Sequence, residues 1–342
     1  MVVDIENCPG SLVSGYKDYS PQVIEQIFDN QQVSAFLDFS VPKTIAAKNN
    51  PAKMNIRRIS ISGVNRKLSA TIKNEKICLT PDQEQGRYIL KLIPHRTYLI
   101  TRILEIPANE HLTMQIARQV YRIPTADCAM AFFRNTQPVY ITKRFDVNPD
   151  GTKKMLEDFA SLVNKTGDTY GERYYFTGNY VQAGLLIKQF VPNWQVEMVK
   201  FFRLVLFNYL TGNSHAHLKD FSLLRNDIGE YVLAPAYDLL NSMLFEVYKK
   251  GKKIFGLEDG LFEKGYYSYD YLRQDYPSWV DFTTFGKLLE LPSSIVKNNI
   301  DEFLTFQTSL YGLVERSFLS RYNKDLYIQT YEERLKYLKG RS

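Results

Sequence analysis

From residue 57 to about 145 the chain runs in short β-type segments, and from 155 onward its apolar residues recur at helical spacing. This change of period from two to 3.6 is what most restricts the fold. Strands are expected near 58–62, 68–72, 76–79, 87–93, 127–133 and 138–145, all rich in Ile, Tyr, Leu and Phe. One helix interrupts them after Pro107, with Leu112, Ile116 and Val120 as its stripe. Helices are expected over 155–164, 179–190, 194–211, 278–290, 293–318 and 324–338. Two short strands, 221–225 and 230–234, flank the turn Asn226-Asp227-Ile228-Gly229. A strand-rich lobe followed by a mainly helical one is an α+β arrangement with a cleft between its lobes. Three segments are expected: an N-terminal extension (1–56) with one helix at 20–29, a strand-rich lobe (57–150) and a helical lobe (151–342).

Composition narrows the class without naming a function. Of 342 residues, 44% are hydrophobic and 23% charged, enough for a sizeable core. Cys8, Cys78 and Cys128 are widely spaced and odd in number, so neither a disulfide framework nor a cysteine-rich zinc site is expected, and a reducing, cytoplasmic setting fits. The N-terminus MVVDIENC is not a signal peptide by its charge, and FFRLVLFNYL (201–210) is too short and too interrupted to cross a bilayer. The net charge of +6 eases contact with phosphates but specifies none, and no nucleic-acid motif accompanies it; direct nucleic-acid binding is a minor expectation.

Three constellations carry chemistry. ISISGVNRKLSATI (59–72) is a strand, a turn with Gly63, and a returning strand, a shape that lays N–H groups and cations over phosphates; one glycine is weak evidence. RYILKLI (87–93) puts Lys91 inside an apolar strand, and Glu110 opens the lone helix of that lobe. A strand lysine paired with a helix glutamate is how protein kinases hold ATP phosphates, although each residue alone is more simply a surface charge. TGNSHAHLKDFSLL (211–224) ends a long helix in a loop with His215, His217, Lys219 and Asp220, and YVLAPAYDLLNS (231–242) then delivers Asp238. Kinases place a base here, a metal ligand five residues later, and a second metal-binding Asp after a hairpin. A rival reading, a His-x-His metallohydrolase, fits poorly. Asp220 stands three residues after His217 rather than two, and no histidine follows downstream.

Together these segments resemble the HipA-like serine/threonine kinases, toxin components of bacterial toxin–antitoxin systems. ISISGVNRKLS matches the family's glycine loop, YILKLIP its ATP lysine, PANEHLTMQIAR its Asn-Glu helix and ITKRFDV its hinge. GNSHAHLKDFSLL and LAPAYDLLNS match the catalytic and metal segments. The resemblance implies a bilobal protein-kinase-like fold that uses ATP and Mg²⁺. It implies that Ser62, Gly63, Val64, Asn65, Arg66 and Lys67 line the phosphates. Lys91 would hold the α- and β-phosphates with Glu110 behind it. Lys143, Arg144 and Phe145 would form the adenine hinge, with His217, Lys219 and Tyr237 beside the nucleotide and Asp238 on the metal. Ser60 falls where relatives autophosphorylate, and Ser62 is a second candidate. The implied partners are a protein substrate, such as an aminoacyl-tRNA synthetase or another translation factor, and antitoxin proteins including a helix-turn-helix DNA-binding protein. No membrane is implied. Only about 58 residues precede the glycine loop, which is similar to the short toxins of split systems.

Two positions depart from the family. His215 stands where the family has its catalytic Asp, and Asp220 where it has a metal-binding Asn. Imidazole can accept a proton near neutral pH but supplies no fixed anion. Asp220 with Asp238 would offer Mg²⁺ two carboxylates, which a hard cation favours. The contrasting expectation is therefore a pseudokinase that binds ATP or protein partners without efficient transfer.

Overall fold

The computed structural model describes residues 5–41, 67–81, 84–93, 103–171, 173–245, 254–305 and 307–340. The expected strand at 58–62 and the loop residues Ser60, Ser62, Gly63, Val64, Asn65 and Arg66 lie outside them.

Helix α1 (Pro21–Phe28) starts on a proline, which loses nothing at a first helical turn because that N–H has no intrahelical partner. Its buried residues Val23, Ile24, Ile27 and Phe28 form one stripe. Strands β1 (Lys67–Lys73), β2 (Lys76–Leu79) and β3 (Tyr88–Lys91) follow, then helix α2 (Ile106–Gln119) and strands β4 (Cys128–Phe132) and β5 (Pro138–Lys143). These strands form one antiparallel sheet in the order β2-β1-β3-β5-β4.

Alternation along the strands sends side chains into two cores. Leu68, Ala70, Tyr88, Leu90, Ala129, Ala131, Val139 and Ile141 face the N-terminal segment, where Ile24, Ile27, Phe28 and Leu37 meet them. Ile89, Cys128, Met130 and Tyr140 face the other way, toward Leu112 and Ile116 of α2. The N-terminal segment is tied to the sheet by polar contacts as well. Tyr19 Oη donates to the Met130 carbonyl at 2.8 Å, Leu37 N–H donates to the Phe132 carbonyl at 2.8 Å, and Asp29 pairs with Lys143 at 2.7 Å.

The remainder is mainly helical. Strand β6 (Leu156–Asp158) leads into α3 (Phe159–Leu162), α4 (Gly167–Tyr170), α5 (Tyr180–Phe190) and α6 (Trp194–Leu210). Strands β7 (Ser222–Arg225) and β8 (Tyr231–Leu233) form the expected hairpin, and β6 adds to it, giving the order β6-β7-β8. Helices α7 (Tyr269–Gln274), α8 (Trp279–Leu288), α9 (Ser293–Leu304), α10 (Thr308–Arg316) and α11 (Arg321–Lys339) close the domain. Helix α6 is the axis of this part; Phe201, Phe202, Val205 and Phe207 are fully buried, each contributing about 2–3 kcal/mol by leaving water.

Two expected helices differ. The segment 155–164 is half strand, because Asp158 accepts from Ser161 N–H at 2.8 Å and so starts the helix only at Phe159. The segment 293–318 is two helices, because Thr305 adopts extended backbone (φ −66°, ψ 133°) after Leu304. Among the described residues, no helix is long and apolar enough to cross a membrane.

Candidate functional site

Register places the first site residue. Lys91 ends β3 opposite Lys67 of β1 and Tyr140 of β5, so both lysines leave the same end of the sheet. Both are buried, at 6% and 4% exposure, which a lysine tolerates only beside an anion. For Lys91 those anions are Glu110, on the first turns of α2, and Asp238, whose Oδ1 lies 2.6 Å from the ammonium. One cation thus joins a strand, a helix and the segment after β8, three pieces up to 147 residues apart.

Electrostatics follow from burial against charge. Burial opposes the Lys91 charge, but Asp238 and Glu110 outweigh it and hold its pKa above the usual lysine range. Burial likewise works against ionised Asp238, yet Lys91 and Lys67 overcome it and keep that carboxyl down at about 2. Glu110 goes the other way. Burial dominates, Lys91 offsets only part of it, the Asp238 charge adds to it, and the carboxyl is pushed up to about 7. Lys67 is lowered chiefly by burial and also by Lys91, against the pull of Asp238, Glu110 and Asp220. Three carboxylates and two lysines therefore share one electrostatic site.

Asp238 also sits in the left-handed backbone region (φ 58°), which asparagine and aspartate enter more readily than other side chains. Its position is fixed by a clamp that sequence reasoning did not single out. Asn109 Nδ2 donates to the Asn241 carbonyl at 2.8 Å, and Asn241 N–H donates to Asn109 Oδ1 at 3.0 Å. The two bonds bind the helix carrying Glu110 to the segment carrying Asp238. Both asparagines were visible inside the quoted motifs, but nothing local marks two residues 132 apart as partners.

The catalytic-loop candidates come from the end of α6. Gly212 takes φ +71°, and a Cβ there would lie 2.7 Å from Thr330, so glycine ends this helix. The chain then passes through Ser214, whose N–H donates to Ser242 Oγ at 2.8 Å, to the exposed His215 and the buried His217. A 3-10 turn, Leu218–Asp220, follows; His217 N–H donates to Asp220 Oδ2 at 3.0 Å. Two contacts brace this loop from behind. Tyr180 Oη donates to the Ala216 carbonyl at 2.7 Å, and Gly256 lies so close that an added Cβ would stand 1.8 Å from that same oxygen. An aromatic wall flanks it: Tyr175 and Phe176 pack on the His217 ring at 4.5 and 4.9 Å, and Lys219 Nζ lies 5.1 Å from the Tyr174 ring.

The expected hinge is joined differently from a free binding strand. Lys143 pairs with Asp29, and Arg144 is buried in a two-point pair with Asp146, with Nε 2.9 Å from Oδ1. Phe145 packs on Tyr237 at 5.8 Å between ring centres, and Tyr237 Oη donates to the Lys219 carbonyl at 3.0 Å. The structure thus brings Lys67, Lys91, Glu110, Asp220 and Asp238 to one electrostatic site and links Phe145, Tyr237 and Lys219 by direct contact. The Lys143 and Arg144 side chains are engaged elsewhere.

Comparison with known proteins agrees with this architecture. Residues 59–305 match the HipA-like C-terminal domain family. A Haemophilus influenzae protein named "Putative kinase" is 26% identical over 337 residues, covering 93% of this chain and 91% of that protein. "Putative kinase Y4dM" of Sinorhizobium fredii is 29% identical over 206 residues, 56% of this chain and 47% of that protein. Among solved structures, the fold is similar to HipA of a Shewanella oneidensis MR-1 toxin–antitoxin system, determined with HipB and its operator DNA. The TM-score is 0.59 at 18% identity, over 81% of this chain and 63% of that one. It is also similar to the Helicobacter pylori proinflammatory kinase CtkA, with a TM-score of 0.50 at 16% identity, over 80% and 88%. At such identities the structural likeness establishes a bilobal, kinase-like fold, and the chain spans under half of one relative and under two thirds of HipA. The family match over 59–305 carries further: this chain belongs to the HipA-like C-terminal domain family.

Proposed function

We propose that the chain is an ATP-dependent serine/threonine protein kinase of the toxin type, working in the cytoplasm. The observation that carries this reading is Lys91 held between Glu110 and Asp238. In kinases the phosphate lysine pairs with a helix glutamate, and a metal-binding Asp stands beside it. Lys91 would contact the α- and β-phosphates, kept in place by Glu110, while Lys67 and the loop 62–66 cover them. The hinge 143–145, with Tyr237, His217 and Lys219, would line the nucleotide. The donor chemistry fits a hard cation: Asp220 and Asp238 would hold Mg²⁺, which neutralises phosphate charge when bound. His215 would orient the acceptor hydroxyl and take its proton. In this reading 57–150 and 151–342 are the two lobes.

A toxin role rests on family membership and on the likeness to HipA, which was solved with HipB and operator DNA. A helix-turn-helix antitoxin is the partner we propose, a translation factor such as an aminoacyl-tRNA synthetase the substrate, and Ser60 or Ser62 the autophosphorylation site. His215 and Asp220 favour one second reading, a pseudokinase that binds nucleotide but transfers slowly.

Intact mass after incubation with ATP–Mg²⁺, starting from phosphatase-treated protein, separates the two. The kinase reading expects a gain of one phosphate, absent in Asp238→Ala, and a faster gain in the double variant His215→Asp with Asp220→Asn. No gain in the wild-type chain despite measurable ATP binding contradicts the kinase and supports the pseudokinase.

A further inference from the structure

The two departures from the family lie together in space. One ligand atom from each of His215, His217 and Asp220 falls within 4.8 Å of the others. The His217 Nδ1 stands 3.0 Å from Asp220 Oδ2, and the two imidazole centres are 4.9 Å apart. Phe176 packs edge-on against both rings, at 5.4 and 4.9 Å, which limits their rotation. His215 is exposed and Asp220 half-buried, so an ion and its remaining waters have access.

Donor type separates this cluster from the Mg²⁺ ligands. Mg²⁺ takes oxygen and keeps its waters, whereas two imidazole nitrogens with one carboxylate suit zinc, cobalt and their neighbours. Bonds of about 2.0–2.2 Å place tetrahedral donors roughly 3.3–3.6 Å apart. The His217–Asp220 pair, at 3.0 Å, is already that close, and all three ligand atoms lie within 4.8 Å of one another. Relatives with Asp and Asn at these two positions, as the family pattern has them, would keep a single imidazole here.

We propose that His215, His217 and Asp220 form a site for one divalent transition-metal ion of the zinc–cobalt class. Its occupation withdraws His215 and Asp220 from phosphoryl transfer, so the ion is an inhibitor. The binding stands on the geometry alone; the inhibition rests on the kinase reading.

The test uses the full chain without a histidine tag, titrated with Co²⁺ and with Zn²⁺ against a chromophoric chelator. One equivalent is expected to bind, with Co²⁺ giving visible d–d bands and no thiolate charge-transfer band, which excludes the three cysteines. His215→Ala, an exposed position, and Asp220→Asn should each weaken binding at least tenfold, while Gly265→Ala, where an added Cβ meets nothing within 4 Å, leaves it unchanged. In the phosphate-gain assay, one equivalent of Zn²⁺ should slow the wild type at least tenfold and leave the double variant His215→Asp with Asp220→Asn unaffected. No bound metal, binding that survives His215→Ala, or a thiolate band overturns the site. Metal uptake through these residues without any phosphate transfer at any metal level upholds the site and overturns the kinase reading instead.

Discussion

Lys91→Met is expected to reduce phosphoryl transfer by about 100-fold or more, the usual scale for losing a preorganised group that stabilises transition-state charge. It is also expected to cost about 3–5 kcal/mol of stability at pH 7, because breaking a buried ion pair leaves an uncompensated charge. Here the charge left behind is that of Asp238, while Glu110 beside it takes up a proton. In the wild type their contributions run in opposite directions with pH. Asp238, held at about 2 against its ordinary 3.8, stabilises the fold above 3.8, and that contribution is lost as pH falls toward 2. Glu110, raised from 4.5 to about 7, keeps a proton in the folded state that the unfolded chain has released. Its contribution is complete below 4.5 and is lost as pH rises through 7. With Lys91 gone, both carboxyls shift upward. Urea denaturation of Lys91→Met should therefore show stability rising as pH drops from 8 to 5, more steeply than in the wild type. A variant with unchanged midpoint and unchanged pH slope would contradict the buried triad.

Gly256→Ala is the second large effect, and it acts without touching any charged group. The new Cβ would lie 1.8 Å from the Ala216 carbonyl oxygen and 2.3 Å from its carbon, and both are backbone atoms. No rotamer relieves such a contact; the loop between His215 and His217 must move. Overpacking of this kind costs about 3 kcal/mol or more. The displaced Ala216 carbonyl also leaves Tyr180 Oη, its hydrogen-bond donor at 2.7 Å. A drop in urea midpoint together with loss of phosphate gain is expected. Gly265→Ala, where an added Cβ meets nothing within 4 Å, is the control and should stay within about 0.5 kcal/mol of the wild type. Equal behaviour of the two variants would mean that the loop is not braced by residue 256.

The contrast between these two residues explains how far the sequence could be read. Lys91 and Glu110 were legible because they sit on a strand and a helix of strong period, and Asp238 because it follows the β7–β8 hairpin, in an order that few folds share. The sheet was legible from its strand periodicity: β1, β2, β3, β4 and β5 fall within two residues of their expected ends. Gly256 was not legible, because its role is a close approach to a backbone 40 residues earlier and leaves no local pattern. The Asn109–Asn241 clamp is hidden in the same way; the Arg144–Asp146 pair is local, two residues apart, and was hidden by its burial. Arg144 read as a charged hinge residue, and only burial against Asp146 turns it inward. The misread segment 155–164 is different, since Asp158 with Ser161 is a capping pattern available in the sequence. The docking of the N-terminal segment was invisible, since Tyr19, Leu37 and Asp29 meet partners over a hundred residues or nearly so along the chain.

A crystal structure with a non-hydrolysable ATP analogue and Mg²⁺ tests the central assignment most directly. The account predicts phosphate oxygens within about 3 Å of Lys91 Nζ, with Glu110 still paired to it and the metal on Asp238 and Asp220. Phosphates bound away from Lys91, or a metal that ignores Asp238, would contradict it.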